Sequence, residues 1–423
     1  MRRLLIIWST VFGLANAMNA GGQIHQEMQG PTTSLASLVA EAQSRNAQVS
    51  SAEHAWRAST HAAPQATTLP DPQITVQDFS VGSPKPWAGF SNSDFAYVGV
   101  GVSQDLPYPG KLRLRGMAAE READAQKAQI DVVRTNIADQ VKTAYLRLAY
   151  LDQTIDLLDR NTTVLDTLIK TETSRYRVGQ GSQADILRGQ LERTKLLRET
   201  TMHEQEMGQL EAALKALLHR PQNSANIVPE PLRASEAPPQ LQDAPALVTD
   251  QNAMIKADRA MVVQQDARLQ SAKRGTKPDF TVGYMFQQTG SSYRDYYVAT
   301  FSLRFPRKKR VNAEIAQAAE TVERSRAEAD ADQQQQLAEA QKESIAIRSS
   351  AELMKEYQQG LIPQADSVFQ SELTAYQSNR GSLSAVLKAL MDRIAFEHDY
   401  QQALLDHETA LAHLETLTGA KLR

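Results

Sequence analysis

The chain repeats its own pattern at a spacing of about 200 residues. The segment 72–76 (PQITV) recurs at 278–282 (PDFTV), and 175–187 recurs at 375–387 with a Gly-Ser pair at the same place in each. In addition, Asn46-Ala47 recurs as Asn252-Ala253, and 100–107 recurs as 299–306. The four segments stand in the same order in both halves of the chain. Four ordered pairs indicate a duplicated unit, so the fold must be built twice from one plan.

Prolines mark the boundary between the two copies. Residues 221–245 contain six prolines, which neither a helix nor a central strand tolerates, so this segment is predicted to be a connector. The first repeat then covers 18–220 and the second covers 246–423. Each repeat is expected to hold an opening helix, two strands and two long helices. The predicted opening helices are about 34–62 and 244–273, the strands 72–80, 95–105, 278–288 and 295–305, and the long helices 111–175, 182–219, 308–377 and 382–418.

The N-terminus has the pattern of a secretory signal peptide. Two arginines precede an apolar run at 4–14, and Ala15-Asn16-Ala17 supplies the small residues of a cleavage site. We therefore expect residues 1–17 to be a signal peptide, with a short membrane anchor as the alternative. The chain has no cysteine, which excludes disulfides, thiolate metal sites and cysteine-linked lipid anchors.

Alternation with a period of two predicts the strands. Every second residue is apolar across 280–286, 297–305 and 98–102. Strands of about 9 to 11 residues have the length that a tilted transmembrane strand needs. Four strands are too few to close a barrel, whereas three chains would supply about twelve. A soluble antiparallel sheet is the alternative for these strands taken alone.

Heptads predict the long helices. Apolar residues recur every seven positions at Ile130, Ile137, Ala144, Leu151, Leu158 and Leu165. This is the repeat of left-handed coiled-coil packing. The helix that begins at Lys111 would run for about 60 residues, or about 90 Å at 1.5 Å per residue. The expected fold class is mainly α with a small β part, in which long antiparallel coiled-coil helices accompany the four strands.

Charge and motifs exclude several functions. The formal net charge is -3, so the chain has no basic excess with which to bind nucleic acid. The sequence contains no HExxH, P-loop or GxGxxG motif, and its eight histidines are scattered. We therefore expect no enzymatic activity, no cofactor and no metal site. The cations Arg307, Lys308 and Lys309, together with Lys111 in the first repeat, are interpreted as membrane-interface anchors.

The chain resembles the TolC family of outer-membrane efflux channels over essentially all of the mature sequence. The motifs that carry the resemblance are 103–111 (SQDLPYPGK), 175–187 (RYRVGQGSQADIL), 361–366 (LIPQAD) and 375–378 (AYQS). The resemblance implies a homotrimer with a 12-stranded barrel in the outer membrane and a periplasmic tunnel of helices. It also implies two partners, a periplasmic adaptor (membrane fusion protein) and an inner-membrane RND pump.

The segments 361–364 and 107–111 look most like the branch of the family that serves heavy-metal cation efflux. A multidrug efflux pump or the exit duct of a type I protein-secretion system are alternatives with the same fold. A periplasmic coiled-coil scaffold is the alternative from another class of protein.

The resemblance also implies a site at the breaks between long helices. The breaks hold Val178, Gly179, Gln180 and Gly181 in the first repeat and Asn379, Arg380 and Gly381 in the second. In the family these tips contact the adaptor and close the channel. An acidic residue after the first tip and a tyrosine before the second form a latch in the family, and they match Asp185 and Tyr376. The family has an arginine that assists this latch where this chain has Gly381, and two acidic residues where this chain has Ala385 and Lys388. The latch is therefore expected to use different contacts here.

Overall fold

The computed structural model describes residues 32–80, 96–237, 241–248, 251–289 and 294–419. The expected signal peptide, residues 1–17, lies outside these ranges. The elements of the first repeat are α1 Leu35–Arg45, α2 Ala47–Thr60, α3 Ala62–Thr67, β1 Gln73–Phe79, β2 Tyr97–Leu106, α4 Lys111–Arg177 and α5 Gln183–Leu217. Those of the second are α6 Ala244–Leu247, α7 Ala253–Arg274, β3 Asp279–Thr289, β4 Tyr296–Arg304, α8 Lys308–Glu356, α9 Ile362–Gln377 and α10 Leu383–Thr418. The predicted fold class, long helices with a small β part, is confirmed.

The four strands form one antiparallel sheet in the order β1-β2-β3-β4. Because side chains alternate across a strand, the register sorts them into two faces. On one face a single row holds Val76, Val100, Phe286 and Tyr297. The other face is mostly small or polar, as in the row of Gln73, Ser103, Gly283 and Thr300, although Met285, Tyr296 and Val298 also lie on it. The sheet thus has an apolar face and a polar face, and the apolar face is exposed in the protomer.

The long helix α4 is the spine of the helical part. Its heptad residues Ile137, Leu151, Leu158 and Leu165 are each at most 2% exposed, because α4 packs against α5, α7 and α10. The face of α4 that carries Val141 is covered by α1. No helix in the described ranges is both long and apolar enough to cross a membrane.

Two asparagines interrupt the predicted opening helices. Asn46 separates α1 from α2, so the helix expected at 34–62 is divided, and Asn252 begins α7 only after a break in the helix expected at 244–273. Each side-chain oxygen accepts from a backbone N–H of the next turn, at 2.8 Å. Each side-chain nitrogen donates at 2.8 Å to a carbonyl of the repeat's last helix, Leu217 or Leu417. These two N-caps are the clearest structural trace of the duplication.

A π turn at Tyr357–Leu361 lies within the helix predicted at 308–377 and separates α8 from α9. Pro363 follows it in the first turn of α9. A proline ring clashes with the carbonyl four residues earlier and removes one hydrogen bond, and a wider turn relieves both effects. The helical path therefore continues past Pro363 instead of ending there.

Replacing Asn46 or Asn252 by alanine should destabilise the protein by about 1 to 2 kcal/mol each, because a cap and a buried hydrogen bond are lost together. The measurement is denaturant unfolding of the detergent-solubilised protein. Asn312→Ala, at an exposed position of α8, is the matched control and should change the free energy of unfolding by less than about 0.5 kcal/mol. Equal stability of Asn252→Ala and the control would contradict the proposed role of the caps.

Candidate functional site

The two breaks between long helices fold in the same way. At the first tip, Gly179 has φ +75°, its N–H donates to Tyr176, and the N–H of Gln180 donates at 2.8 Å to Arg175. At the second tip, Asn379 has φ +57° and the same pair of hydrogen bonds runs from Asn379 and Arg380. This is the Schellman arrangement, which ends a helix with one left-handed residue. Glycine and asparagine are the residues that adopt this conformation most readily.

Serine starts the helix after each tip. The Ser182 hydroxyl accepts from the N–H of Ala184, and the Ser382 hydroxyl accepts from the N–H of Ala385. Serine is among the preferred N-cap residues because its oxygen satisfies a free N–H of the first turn. The tips are therefore short reversals fixed at both ends by local hydrogen bonds, and Val178 at the first tip is 69% exposed.

A buried carboxylate joins the two tips. The Tyr376 hydroxyl donates to Oε2 of Glu172, and the other oxygen, Oε1, accepts from the N–H of Ser182 at 3.0 Å. Glu172 is 2% exposed and Tyr376 is 3% exposed. Burial, and then the hydrogen bond to Glu172, raise the pKa of Tyr376 to about 12. The phenol therefore remains protonated at neutral pH and acts as the donor.

Arg175 holds the second tip from the first. Its Nη1 donates at 3.0 Å to the carbonyl of Tyr376, and its Nη2 donates to the Asn379 side chain. The guanidinium also lies 4.5 Å from the centre of the Tyr376 ring, a cation–π distance. One cation thus contacts the backbone, the ring and the turn residue of the opposite tip.

Within the described protomer, Asp185 accepts from other residues than Tyr376. It accepts from Arg188 at 3.3 Å and from the Ser384 hydroxyl at 3.5 Å. Arg188 also donates to Ser384 at 2.5 Å. Asp185 therefore joins α5 to α10, while Glu172 joins α4 to α9. Both acids connect the tips, but through different helices.

The sequence contained a signal for Glu172 that the motif comparison did not use. Glu172 lies seven residues after Leu165, so it occupies the next position of the heptad that forms the core of α4. An acid at a core position is buried, and a buried carboxylate needs hydrogen-bond donors. A Cβ at Gly181 would lie 2.5 Å from Glu172 Oε1, so the glycine leaves room for this carboxylate.

Lys111 is a structural residue within the protomer, which corrects its predicted exposure as an anchor. It is 6% exposed, and its Nζ donates to Asp279 Oδ1 at 2.8 Å and to the carbonyl of Lys277 at 2.7 Å. The N–H of Tyr108 also donates to Asp279. These bonds join the start of α4 to the start of β3. The other predicted anchors, Arg307, Lys308 and Lys309, are exposed.

A groove of about 1180 Å³ is lined by α4, α5, α8 and α10. It lies along the part of α4 that carries Asp139 and Arg147, whereas α1 covers Val141. The acids that line it are Asp139, Glu343, Asp399 and Asp406. His413 lies 3.8 Å from Glu343 and 4.0 Å from Asp139. Among the described residues, no three His, Cys, Asp or Glu side chains are arranged to hold a metal ion.

The sequence profile of the outer membrane efflux protein family matches residues 38–219, which include both strands of the first repeat and most of its helices. Residues 38–219 are thus similar in sequence to this family. No curated protein matches the chain by sequence. The profile match and the fold confirm the resemblance to the TolC family that the sequence motifs indicated.

Solved structures of outer membrane proteins share the fold of this chain. VceC of Vibrio cholerae is 16% identical, with a TM-score of 0.75 over 92% of this chain and 97% of VceC. The open state of the MtrE outer membrane channel of Neisseria gonorrhoeae is 17% identical, with a TM-score of 0.74 over 92% of this chain and 89% of MtrE. The CmeC outer membrane channel of Campylobacter jejuni is 11% identical, with a TM-score of 0.73 over 100% of this chain and 95% of CmeC.

Proposed function

We propose that three copies of this outer membrane protein form a passive channel, and that the channel is the exit component of a tripartite efflux system. The observation that carries the proposal is the two-faced sheet at one end of a bundle of long helices. The sheet lies in the outer membrane and the helices extend into the periplasm. The chain acts as a conduit, and its partners supply the energy for transport.

The sheet supports a trimer through its edges. In the described protomer, the outer edges of β1 and β4 have no strand beside them. Backbone N–H and C=O groups at such an edge cannot remain unpaired in lipid. Pairing β4 of one copy with β1 of the next closes the sheet, and three copies give about twelve strands. The apolar face then meets lipid and the polar face lines the lumen.

The helices support the same assembly through two apolar stripes. Exposed apolar residues follow α5 at Leu187, Leu191, Leu197 and Met202. Others follow the α8–α9 path at Ile345, Leu353, Leu361 and Val368. In the described protomer these side chains are exposed, so one stripe can pack against the other in a neighbouring copy. Such a heterologous contact generates a ring when its rotation closes.

A purified outer-membrane extract should show an unboiled band near three times the 46.8 kDa chain mass, and boiling should collapse it to the monomer. Leu191→Glu should remove the unboiled band, because it places a charge in the α5 stripe. Gln190→Glu, at the adjacent exposed position, is the matched control and should keep the band. A soluble wild-type monomer would contradict the channel and favour the periplasmic scaffold.

We propose that the contacts between the tips form the gate of this channel. Glu172, Tyr376 and Arg175 tie α4 to α9, and Asp185 ties α5 to α10. Asp185 and Tyr376 remain the proposed latch residues. Tyr376 binds Glu172, and Asp185 binds Ser384. The tip residues 178–181 and 379–381 are the proposed surface for the periplasmic adaptor. A phenol-to-carboxylate bond is worth about 1.5 to 3 kcal/mol when sheltered, so three copies can hold a closed aperture.

Tyr376→Phe and Glu172→Gln should each raise the single-channel conductance of the trimer in planar bilayers. The double variant should add little to either single variant, because both substitutions break the same bond. Tyr176→Phe removes an exposed tyrosine beside the first tip and is the matched control, with unchanged conductance expected. Strictly additive effects, or no effect of either substitution, would remove Glu172 from the gate.

We propose cations as the cargo, with heavy-metal cations first among them because of the resemblance of 361–364 and 107–111. Four acids and two basic residues, Arg147 and His413, line the groove. Arg147 is paired with Glu206 at 2.8 Å, which leaves the groove with an excess of negative charge. A pathway lined by negative charge raises the local concentration of cations. A multidrug pump and a type I secretion system remain the alternatives for the partner.

In a salt gradient across the bilayer, the reversal potential should show that the channel prefers cations. Asp399→Asn combined with Asp406→Asn should reduce the ratio of cation to anion permeability at least twofold at low ionic strength. Asp156→Asn changes an acid that is 69% exposed and lies outside the groove, and it should leave the ratio unchanged. An anion-selective wild-type channel would contradict a cationic cargo.

A further inference from the structure

We propose that a cationic collar at the foot of the sheet binds the headgroups of anionic phospholipids in the leaflet that faces the helices. The proposal rests on the proposed insertion of the sheet in a membrane. The collar consists of six exposed cations, Arg113, Lys273, Lys277, Arg307, Lys308 and Lys309. It goes beyond anchoring in general, because it specifies the charge of the lipid that the protein prefers.

Three helix ends meet in the collar. The long helices α4 and α8 begin there, and α7 ends there. Arg274, the last residue of α7, donates at 2.7 Å to the carbonyl of Pro109 just before α4. A Cβ at Gly275 would lie 4.0 Å from Val311 in the first turn of α8. The six cations therefore belong to one surface, although they come from three segments of the chain.

The acids near the collar are already engaged. Asp279 pairs with the buried Lys111, Asp105 pairs with Arg304 at 3.5 Å, and Glu314 pairs with Arg310. Within the described ranges, no ion pair involves any of the six collar cations. The N-termini of α4 and α8 add the positive ends of two helix dipoles to the same surface. The collar therefore needs counter-charge from outside the protein.

Apolar side chains lie directly beside these cations. Phe305 is 72% exposed and Leu303 is 46% exposed, and only Pro306 separates Phe305 from Arg307. Leu303 lies at an odd-numbered position of β4, and these positions carry the apolar face of the sheet; Phe305 follows the last residue of β4. A phosphodiester headgroup with acyl chains matches this order of apolar ring and cation, whereas a free phosphate would leave the apolar part uncovered. The geometry therefore favours a lipid over a soluble anion.

The test uses the purified full-length trimer in nonionic detergent and native mass spectrometry to count bound lipids. Phosphatidylglycerol should bind in preference to phosphatidylcholine with the same acyl chains. Substituting Arg307, Lys308 and Lys309 together by glutamine should weaken phosphatidylglycerol binding by about tenfold or more and leave phosphatidylcholine binding unchanged. A second variant, Arg113→Gln with Lys273→Gln, should also weaken phosphatidylglycerol binding, and it leaves α8 unchanged.

A matched control replaces three cations that are equally exposed but distant from the collar, Arg160, Arg198 and Arg324, by glutamine. It should bind phosphatidylglycerol like the wild type. Equal binding of the two lipids by intact wild-type trimers would overturn the collar, as would full displacement of the lipid by millimolar inorganic phosphate. A wild-type protein that yields no membrane trimer would instead count against the proposed channel.

Discussion

A strand whose side chains alternate between apolar and polar residues has two faces that need different environments. In the part of the chain that the structure describes, no second layer covers the apolar face of the four-stranded sheet. The described helices lie at the end of the sheet, where Lys111 and Asp279 join α4 to β3, and none packs on the face that carries Val100 and Phe286. The proposed insertion in a membrane and the proposed pairing of strand edges between copies both follow from this one constraint.

The duplication explains how one chain builds the same helical arrangement twice. In each repeat an asparagine caps an early helix and also binds the carbonyl at the end of the last helix, Leu217 or Leu417. This bond fixes the position at which the second long helix returns beside the first. Further down, the two tips repeat the same Schellman geometry. The repeats carry the same residue types at Glu172 and Glu372 and at Tyr176 and Tyr376, but Tyr376 is buried whereas Tyr176 is 46% exposed.

The fold was predictable from the sequence because its signals are periodic. Alternation in β3 and heptads in α4 extend over many residues, so single exceptions do not hide them. The site was less predictable because it depends on which side chains meet. Motif comparison selected Asp185, whereas the heptad position of Glu172 brings its carboxylate to Tyr376. The sequence around Lys111 predicts an exposed cation, but Lys111 is buried and pairs with Asp279 of the other repeat. No pattern near Lys111 in the sequence indicates this contact.

The departure of the second tip from the family pattern has a physical compensation. Gly381 stands where the family places an arginine, and a Cβ there would already lie 3.0 Å from the N–H nitrogen of Tyr376, so a longer side chain would disturb the turn. Arg175 of the first tip supplies a guanidinium instead, through the Tyr376 carbonyl, its ring and the Asn379 side chain. Because Arg175 reaches across from the first repeat, the charge still lies between the two tips. The hydrogen bonds of Arg175 therefore connect the first tip to the second, and they hold the two tips of a protomer together.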